Sequence, residues 1–385
     1  NMSVKYCKNC IYPSTKPDLE FNSEGVCQGC IAYNERKFID WKKRDLDFKK
    51  ILSEGKKKNN SIYHCCIPVS GGKDSIYQVA KVLDAGLNPL CVTATTDKFT
   101  ELGKKNLEVL KNLGVDHVQI STDPILRRKI NKFTLKTVGD IAWTEHKTIY
   151  SIPTRVAQMH KIPFIIWGEN ANNDSGGPAS DVRNFKLTSS WHDEFGGLLG
   201  LRVKDLVQSL NVKEEKLFFY THPSDVELKE TNTQGIFLGY FYPWDGVSNL
   251  EVAKKYGFQT YDKDEIEGSI VNYENLDNAL MRIHDYFKYL KYGYDRVTDW
   301  CCWHIRRGRL TREKAININN EKSGKYPSVY LGYTLEEILK EIDCSIKEFN
   351  EICDEFTNTE IFMSSNDGKI IKKDDGSLIL KQPYE

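Results

Sequence analysis

Two short stretches of the sequence combine residue types and spacings that could carry chemistry. In one of them, the hexapeptide Ser70-Gly71-Gly72-Lys73-Asp74-Ser75 joins an apolar run to an amphipathic segment. Its glycines lack a Cβ atom, so the backbone can approach a ligand closely, and its serine hydroxyls stand beside the first free N–H groups of a helix. A strand, loop and helix arranged in this way can cradle an anion. The hexapeptide is therefore a candidate phosphate-binding loop.

Four cysteines form the second stretch. Cys7-x-x-Cys10 and Cys27-x-x-Cys30 are separated by sixteen residues, a spacing typical of two knuckles that offer four thiolates to one tetrahedral zinc ion. The sequence between them is turn-rich and too short to hold itself by apolar burial, so metal binding would supply most of its folding free energy. A redox pair is the alternative, but neither pair follows a predicted strand. We predict structural Zn²⁺, because four thiolates leave no open coordination position.

The phosphate loop differs from the common nucleotide loop G-x-x-x-x-G-K-[ST]. Gly72-Lys73 is followed by Asp74, and no glycine lies five residues before Gly72, which argues against a γ-phosphate-cleaving NTPase of that kind. The hexapeptide resembles instead the SGGxDS signature of the PP-loop ATP pyrophosphatases. These enzymes split ATP to AMP and pyrophosphate while they adenylate an oxygen of their substrate. A simple tight turn between strand and helix is the alternative.

The elements that must position this loop alternate between strands and helices. Apolar runs predict the strands, and glycines just beyond helix ends predict C-caps. The predicted strands are Ile62–Val69, Pro89–Thr95, Asp116–Ile120 and Ile162–Trp167, and the predicted helices include Ile76–Ala85, Gly103–Leu113 and one capped by Asp123. This alternation predicts an α/β fold with a doubly wound parallel sheet, whose ligands bind beyond the carboxyl ends of the strands.

Loops after three of these strands are expected to meet at one site. The resemblance implies that the end of the second strand contacts the nucleoside and that a glycine after a later strand lets adenine approach. Lys73, Asp74 and Glu169 are the predicted catalytic residues, and Asp74 and Glu169 could hold Mg²⁺ on the phosphates. Strand propensity for the threonines and a helix-start carboxylate for Glu169 are the alternatives. The predicted ATP contacts are Val69, Ser70, Gly71, Gly72, Lys73, Asp74, Ser75, Thr95, Thr96 and Gly168.

Two further segments are candidates for binding a second substrate. Asn170–Gly200 is long, glycine-rich and polar, which favours a functional lid, and His192 within it could position a substrate or act as a base. A surface histidine without such a role is the alternative. The second segment is basic and offers bidentate donors suited to the diphosphate or acid group of a nucleotide sugar, with surface salt bridges as the alternative. Its arginines are Arg306, Arg307, Arg309 and Arg312.

The carboxyl-terminal part is predicted to be mainly helical. An apolar stripe from Leu276 to Tyr294 predicts one packed helix, and capping boxes at Ser248, Thr334 and Ser345 predict further helix starts. The predicted domains are a zinc ribbon (1–31), a basic connecting helix and linker (32–60), a PP-loop ATP-binding domain (61–246) and a helical region (247–385). The polar residues 55–61 are predicted to be the linker itself.

Charge and composition argue against several classes of partner. Lys+Arg and Asp+Glu both number 54, so no global field attracts nucleic acid or an anionic membrane. No run approaches the roughly 18 apolar residues of a membrane span, and no cleavable signal stands at the start. Eleven cysteines without a secretion signal favour reduced thiols or metal ligation. We therefore expect a cytoplasmic protein without membrane or nucleic-acid partners.

The whole arrangement resembles the N-acetyl sugar amidotransferases of bacterial surface-glycan synthesis. The resemblance rests on the cysteine ribbon, the SGGKDS loop, Trp167-Gly168-Glu169-Asn170 and a helical tail with the arginine cluster. It implies that the acetamido group of a sugar becomes an acetamidino group: the amide oxygen attacks the α-phosphate of ATP, and ammonia then displaces AMP. Two alternatives stay open. One is a tRNA-modifying PP-loop enzyme of the thiolase or lysidine-synthetase type, and the other is a non-catalytic scaffold with a degenerate nucleotide site.

The source of the ammonia is expected to be a second protein. The sequence contains neither a Gly-x-Cys-x-Gly nucleophile elbow nor an amino-terminal cysteine, so we predict that the chain cannot hydrolyse glutamine. The resemblance implies a separate glutaminase subunit, similar to that of imidazole glycerol phosphate synthase. The other expected partner is an N-acetylated sugar, free or nucleotide-linked.

Overall fold

The structure is a computed structural model and describes residues 3–170, 186–187 and 201–385. Its central sheet has six strands: β1 (Cys65–Pro68), β2 (Pro89–Ala94), β3 (Asp116–Ile120), β4 (Phe164–Trp167), β5 (Lys186–Leu187) and β6 (Gln234–Phe237). They are arranged in the order β3-β2-β1-β4-β6-β5. The first five in this order run parallel, and β5 pairs antiparallel with β6. The predicted parallel α/β sheet is confirmed.

The order of the strands places a crevice at the end of β1. The chain adds β2 and β3 on one side of β1, and then β4 and β6 on the other side. Ligands of open α/β sheets bind at such a reversal, beyond the carboxyl ends of the strands. Cys65, Cys66 and Ile67 of β1 have no exposed surface. A parallel sheet covered on both faces is built from such continuous apolar runs.

Helices surround the sheet and form most of the carboxyl-terminal part. The helices are α1 (Gln28–Glu35), α2 (Trp41–Asn59), α3 (Lys73–Asp84), α4 (Glu101–Leu107), α5 (Leu110–Leu113), α6 (Pro124–Val138), α7 (Trp143–Met159), α8 (Val203–Leu210), α9 (Asp225–Glu230), α10 (Leu238–Phe241), α11 (Gly246–Lys255), α12 (Met281–Tyr292), α13 (Arg296–Arg306), α14 (Arg312–Lys322), α15 (Leu335–Lys340) and α16 (Ile346–Phe356). Two short 3-10 helices, Arg36–Phe38 and Glu214–Tyr220, and a small hairpin of β7 (Val329–Tyr330) and β8 (Tyr333–Thr334) complete the described elements.

The strand predictions are accurate at β3 and within a few residues elsewhere. The prediction began β1 at Ile62, but the pairing with β2 starts where Cys65 lies opposite Pro89. Ile62 therefore has no sheet neighbour to pack against, and 76% of its surface is exposed. The predicted helix Gly103–Leu113 is divided into α4 and α5. The start of α6 at Asp123 is confirmed, because its carboxylate accepts hydrogen bonds from the N–H groups of Ile125 and Leu126.

The predicted linker at residues 55–61 is wrong over most of its length. Helix α2 continues through Gly55 to Asn59, and Asn60 ends it in the left-handed conformation with a φ of 49°. A Cβ atom at Gly55 would collide with the ring of Phe164 on β4. The glycine therefore permits close packing of the helix on the sheet, rather than a flexible connection.

The carboxyl-terminal helix predictions are correct in part. The stripe from Leu276 to Tyr294 predicts one helix, but α12 begins only at Met281 and ends at Tyr292, and Gly293 caps it with a φ of +77°. Helix α11 is capped by Asp245 rather than by the predicted Ser248. The capping box at Thr334 is confirmed, and the hydroxyl of Ser345 accepts the N–H of Glu348 as predicted.

The cysteine segment does not form a core of its own. Its four buried cysteines, Ile11 and Tyr12 share one apolar cluster with residues of α13 and α14, including Cys301 and Ala315. A separate cluster joins Ile76 of α3 to the helices that follow residue 275. Each of these two apolar clusters thus contains residues from more than one predicted domain. The domain boundaries themselves stay predictions. Among the described helices, none combines the length and the apolar character that crossing a membrane requires.

Candidate active site

The phosphate loop lies between β1 and α3, beyond the carboxyl end of the central strand. Gly71 has a φ of +84°, and a Cβ atom there would lie 2.6 Å from the carbonyl oxygen of Gly103. A side chain at this position would require the backbone to move. Gly72 is the N-cap of α3, whose first turn offers free N–H groups and the positive end of the helix dipole. The loop therefore has the geometry of an anion site.

A cavity of about 770 Å³ opens beside this loop, and it is called the ATP cavity because ATP is the ligand predicted for the loop. Ile149, Pro153, Ile166 and Trp167 form an apolar wall on which a base could pack. The predicted ATP contacts that line the cavity are Val69, Ser70, Asp74, Ser75, Thr96 and Gly168.

Two carboxylates that the sequence analysis missed, Glu145 and Asp277, line the ATP cavity with Asp74. Glu145 Oε2 accepts hydrogen bonds from Thr96 Oγ1 at 2.8 Å and from Arg127 Nη2 at 2.9 Å. Burial raises the pKa of Asp277 to about 7, and the charge of Glu145 adds to this shift. The Asp277 carboxyl can therefore gain or lose a proton near neutral pH.

Lys73 lies buried between two carboxylates. Its Nζ is 2.9 Å from Asp74 Oδ2 and 2.7 Å from Glu274 Oε2. Burial alone would lower the pKa of the Lys73 ammonium, but the two carboxylates outweigh it and hold that pKa above its ordinary value. Asp74 also accepts a hydrogen bond from Asn249 Nδ2 at 2.9 Å. Its side chain is still 36% exposed, so Asp74 can bind a ligand while Lys73 and Asn249 hold it.

A second cavity has a volume of about 410 Å³. Asp74 lines both this cavity and the ATP cavity. Arg309 forms a forked ion pair with Asp245, with Nη1–Oδ1 at 2.9 Å and Nη2–Oδ2 at 2.5 Å. Arg307 Nε lies 3.1 Å from the same carboxylate. Burial favours the neutral acid, but the two guanidinium groups hold the pKa of Asp245 well below its usual range. The full lining is Lys73, Asp74, Trp244, Asp245, Gly246, Glu274, Trp300, Trp303, Arg307 and Arg309.

The predicted arginine cluster does not form one site, which corrects the sequence-based expectation. Arg307 and Arg309 line the second cavity. Arg306 instead donates to the Sγ of Cys30 at 3.3 Å, and Arg312 Nε donates to the carbonyl oxygens of Cys7 and Cys10 at 3.2 and 2.9 Å. Arg306 ends α13, Arg307 and Arg309 lie in the turn that follows, and Arg312 begins α14, so the four side chains leave the backbone in different directions.

The four predicted zinc ligands lie together. The Sγ atoms of Cys7, Cys10, Cys27 and Cys30 are all within 4.8 Å of one another, and the four residues are buried. Cys10 Sγ and Cys27 Sγ are 3.6 Å apart, close to the edge of about 3.8 Å of a tetrahedron with zinc–sulfur bonds of about 2.3 Å. The Cys7 Sγ also accepts from the N–H groups of Cys10 and Cys27. The donor set therefore fits one zinc ion.

Glu169, Thr95 and His192, three further predicted site residues, also lie away from the cavities or outside the described chain. The carboxylate of Glu169, only 5% exposed, pairs with Arg36, so its role beside Asp74 stays a prediction. Thr95 does not line the ATP cavity, and its backbone N–H extends the β2–β3 pairing by donating to Ile120 O at 2.9 Å. His192 and almost all of the predicted lid lie outside the described residues.

Gly168 lines the ATP cavity and also lies close to the ring of Trp244. A Cβ atom on it would lie 2.8 Å from Cη2 of Trp244, which lines the second cavity. The backbone oxygen of Trp244 accepts hydrogen bonds from Arg36 Nη1 at 3.1 Å and Arg307 Nη2 at 2.9 Å. The end of β4, the connecting segment and the carboxyl-terminal part therefore meet at this tryptophan.

Comparison with known proteins gives a family match for part of the chain. Residues 254–374 match the family model described as LPS biosynthesis protein WbpG-like, C-terminal domain. This segment contains Asp277 of the ATP cavity. It also supplies Glu274, Trp300, Trp303, Arg307 and Arg309 of the second cavity.

A curated relative and two solved structures are also similar to parts of the chain. Uncharacterized protein MJ1599 of Methanocaldococcus jannaschii is 28% identical over 120 residues, which is 30% of this chain and 43% of that protein. The chain therefore spans less than half the length of this relative. NMN synthetase from Francisella tularensis has a TM-score of 0.28 at 15% identity, covering 50% of this chain and 92% of that one. The NH3-dependent NAD synthetase from Campylobacter jejuni, in complex with nitrate, has a TM-score of 0.30 at 13% identity, covering 57% and 98%.

Proposed function

We propose that this protein is an ATP-dependent amidotransferase that converts the N-acetyl group of a sugar to an acetamidino group. The observation that carries the proposal is the SGGKDS loop beside a cavity at the reversal point of a parallel sheet. The proposed products of ATP are AMP and pyrophosphate.

The loop is suited to hold the β- and γ-phosphates as the leaving group. Its donors are the N–H groups at the start of α3 and the hydroxyl of Ser70, while the Ser75 hydroxyl donates to the Gly72 carbonyl oxygen at 2.9 Å and so holds the loop. Mg²⁺ bound with ATP would be held by Asp74 and would neutralise charge on the phosphates. Lys73 is fixed by its two carboxylate partners, so its positive charge keeps Asp74 in place without reorganisation during the reaction.

The reaction then proceeds in two balanced steps. The amide oxygen of the acceptor attacks the α-phosphorus, pyrophosphate leaves, the amide nitrogen loses its proton to solvent, and an O-adenylyl imidate forms. Ammonia adds to the imidate carbon, AMP leaves with the former amide oxygen, and an amidine remains. The adduct must lose a proton, and Asp277, with a pKa of about 7, is suited to accept it.

The family match supports the choice of a surface-glycan sugar as the acceptor. Its description names LPS biosynthesis, and the matched residues reach both cavities. Zero formal net charge disfavours tRNA, the acceptor of other enzymes with this loop. Ammonia is proposed to come from a separate glutaminase, because all eleven cysteines of this chain are buried and none is available as a glutaminase nucleophile.

The experiment is to incubate the purified chain with ATP, Mg²⁺, ammonium and a panel of N-acetylated sugars and their nucleotide-linked forms. Nucleotide products are separated by chromatography, and acceptors are analysed by mass spectrometry for replacement of oxygen by NH. AMP formed in step with the amidine supports the proposal. ADP formation, or AMP release that requires tRNA instead of a sugar, would refute it.

A further inference from the structure

A third cavity, the tail cavity, lies apart from the phosphate loop. It has a volume of about 850 Å³ and shares no lining residue with the ATP cavity or the second cavity. Its walls are Tyr289 of α12, residues at the carboxyl end of α14, and residues between Lys373 and Tyr384 of the tail, the segment 357–385 that follows α16. Among the described residues that line it, none is an aspartate or a glutamate. The tail cavity is therefore open to an anionic ligand.

Asn319 is a buried side chain that places an unpaired donor group at this cavity. The residue is only 1% exposed, and it lines the cavity. Its Oδ1 accepts from the Thr298 hydroxyl at 2.7 Å, and Thr298 Oγ1 accepts in turn from the Asp295 N–H at 3.2 Å. This chain of hydrogen bonds fixes the orientation of the amide, and within the described part of the protein nothing accepts from Asn319 Nδ2. Buried donors are normally paired, so the Nδ2 group indicates a ligand that supplies an acceptor.

Two lysines from different segments add positive charge to the tail cavity. Lys325 follows α14 and Lys373 belongs to the tail, and neither forms an ion pair within the residues that the structure describes. Both lie near the exposed carboxylate of Asp375, which is outside the lining. Hydrogen bonds from Ser377 lower the pKa of Asp375, and the charges of the two lysines lower it further. Two cations and one acid leave an excess positive charge at this cavity.

The segment that carries Lys325 is held firmly in place. Gly324 has a φ of +73°, and a Cβ atom there would collide with the ring of Tyr289, so the backbone packs directly on this ring. The Gly324 N–H donates to Asp295 Oδ2 at 2.8 Å, and the buried guanidinium of Arg282 donates to the carbonyl oxygen of Lys325. A wall positioned in this way needs little ordering when a ligand binds, which lowers the entropic cost of binding.

We propose that the tail cavity binds the phosphate group of a small phosphoester. A phosphate monoester has three strong acceptor oxygens, which match the donor groups of Asn319, Lys325 and Lys373. The rest of the ligand packs against Tyr289 and Tyr384. Because the donors come both from the end of α14 and from the tail, the bound phosphate joins these two segments and stabilises the tail. The site does not depend on the proposed amidotransferase activity.

The test measures binding by calorimetry on the full chain with three probes: glucose 6-phosphate, inorganic phosphate and glucose. Both phosphates are expected to bind and glucose is not. Tighter binding of glucose 6-phosphate than of inorganic phosphate would show that the ester is the ligand, and equal binding that the phosphate group alone is recognised.

Variants of the donor groups locate the bound phosphate. The double variant Lys325→Gln/Lys373→Gln should weaken phosphate binding about tenfold or more, as the loss of charged hydrogen-bond partners does. Asn319→Asp keeps the acceptor for Thr298 but replaces the donor with a negative charge, and it should weaken binding further. Lys369→Gln is the matched control, because Lys369 is an exposed lysine of the tail outside the cavity, and it should bind as the unmodified protein does.

Gly71→Ala separates this site from the phosphate loop. Glucose 6-phosphate should still bind this variant, and hydrogen exchange of the amides at residues 371–381 should slow on binding, as in the unmodified protein but not in the double lysine variant. Phosphate binding that is lost in Gly71→Ala and kept in the double lysine variant would place the phosphate at the loop and overturn the proposal. Equal binding of glucose and glucose 6-phosphate, or no saturable binding of either phosphate, would also overturn it. Denaturant unfolding of each variant confirms that it is folded.

Discussion

Arg306 Nε lies 3.3 Å from the Sγ of Cys30, and this contact joins the cysteine cluster to the carboxyl end of α13. The next residue, Arg307, pairs with Asp245 at the second cavity. Arg306 is thus placed to neutralise part of the charge of the four cysteine thiolates, while the next residue lines the second cavity. The cysteine cluster and the second cavity are therefore connected through one short segment of the chain.

We predict that the purified, reduced protein holds one zinc ion and that Arg306→Gln weakens zinc binding about tenfold to hundredfold, as loss of a hydrogen-bond partner to metal ligands usually does. Zinc content is measured by mass spectrometry, and affinity by competition with a chromogenic chelator. Arg128→Gln, at an exposed arginine far along the chain, is the control and should leave zinc binding unchanged. Zinc-free protein, or equal affinities in the two variants, would contradict this.

Asp74→Ala should lower the rate of AMP formation about a hundredfold or more, the usual effect of removing one preorganised electrostatic group. Asp74 is the carboxylate common to both cavities and the proposed Mg²⁺ ligand on the phosphates. Asp84→Ala changes an exposed acid at the other end of α3 and should keep the rate near that of the unmodified protein. Near-normal turnover in Asp74→Ala would reject the metal role.

Comparing Gly71→Ala with Gly86→Ala separates two effects of adding a Cβ atom: strain from a positive φ, and collision with a neighbouring atom. Both glycines have positive φ, +84° and +74°, but a Cβ at Gly86 meets nothing within 4 Å, whereas one at Gly71 meets the Gly103 carbonyl oxygen at 2.6 Å. Gly86→Ala should cost about 1–2 kcal/mol of unfolding free energy and leave ATP binding intact. Gly71→Ala should cost more and abolish ATP binding. Denaturant unfolding and ATP titration measure the two effects, and equal behaviour of the variants would refute this.

Asp277→Asn should alter the pH dependence of stability. The pKa of Asp277 rises from 3.8 to about 7 on folding, so the native state holds a proton that the unfolded chain releases. Its contribution to stability is fully present below about pH 4 and is lost as the pH rises through about 7. The unmodified protein should therefore lose unfolding free energy, relative to Asp277→Asn, across this range. Denaturant unfolding at several pH values measures it, and parallel curves would show that the carboxyl ionises normally.

The sheet and the phosphate loop were predictable because their signals are local. An apolar run, two glycines and an amphipathic segment follow one another within residues 62–85, and they place Ser70 and Asp74 at the end of β1. The two cysteine pairs are equally local, since a fixed spacing is enough to bring four thiolates together.

The rest of the site could not be predicted, because it depends on contacts between distant parts of the chain. Glu274 pairs with Lys73, which lies 201 positions earlier in the chain. Asp277 lies in an irregular segment before α12, where the apolar stripe wrongly predicted a helix. The arginines were recognised as a cluster, but only tertiary packing directs Arg306 to the cysteines and Arg309 to Asp245. Periodicity identifies a helix face; it does not identify what that face meets.

The chain alone should form product from ammonium but not from glutamine. Glutamine hydrolysis needs an accessible, activated thiolate, and all eleven cysteines are buried. Burial also raises the pKa of Cys65, Cys66 and Cys301, which keeps these thiols protonated and poorly nucleophilic. The assay supplies ATP, an N-acetylated sugar and either nitrogen source, and product is measured by mass spectrometry. The rate with ammonium should rise with pH as more of it becomes ammonia, and this arm shows that the preparation is active. Adding a glutaminase to the glutamine arm should restore product. Product from glutamine without a second protein, abolished by thiol alkylation, would show that a cysteine of this chain is the nucleophile and would refute the prediction.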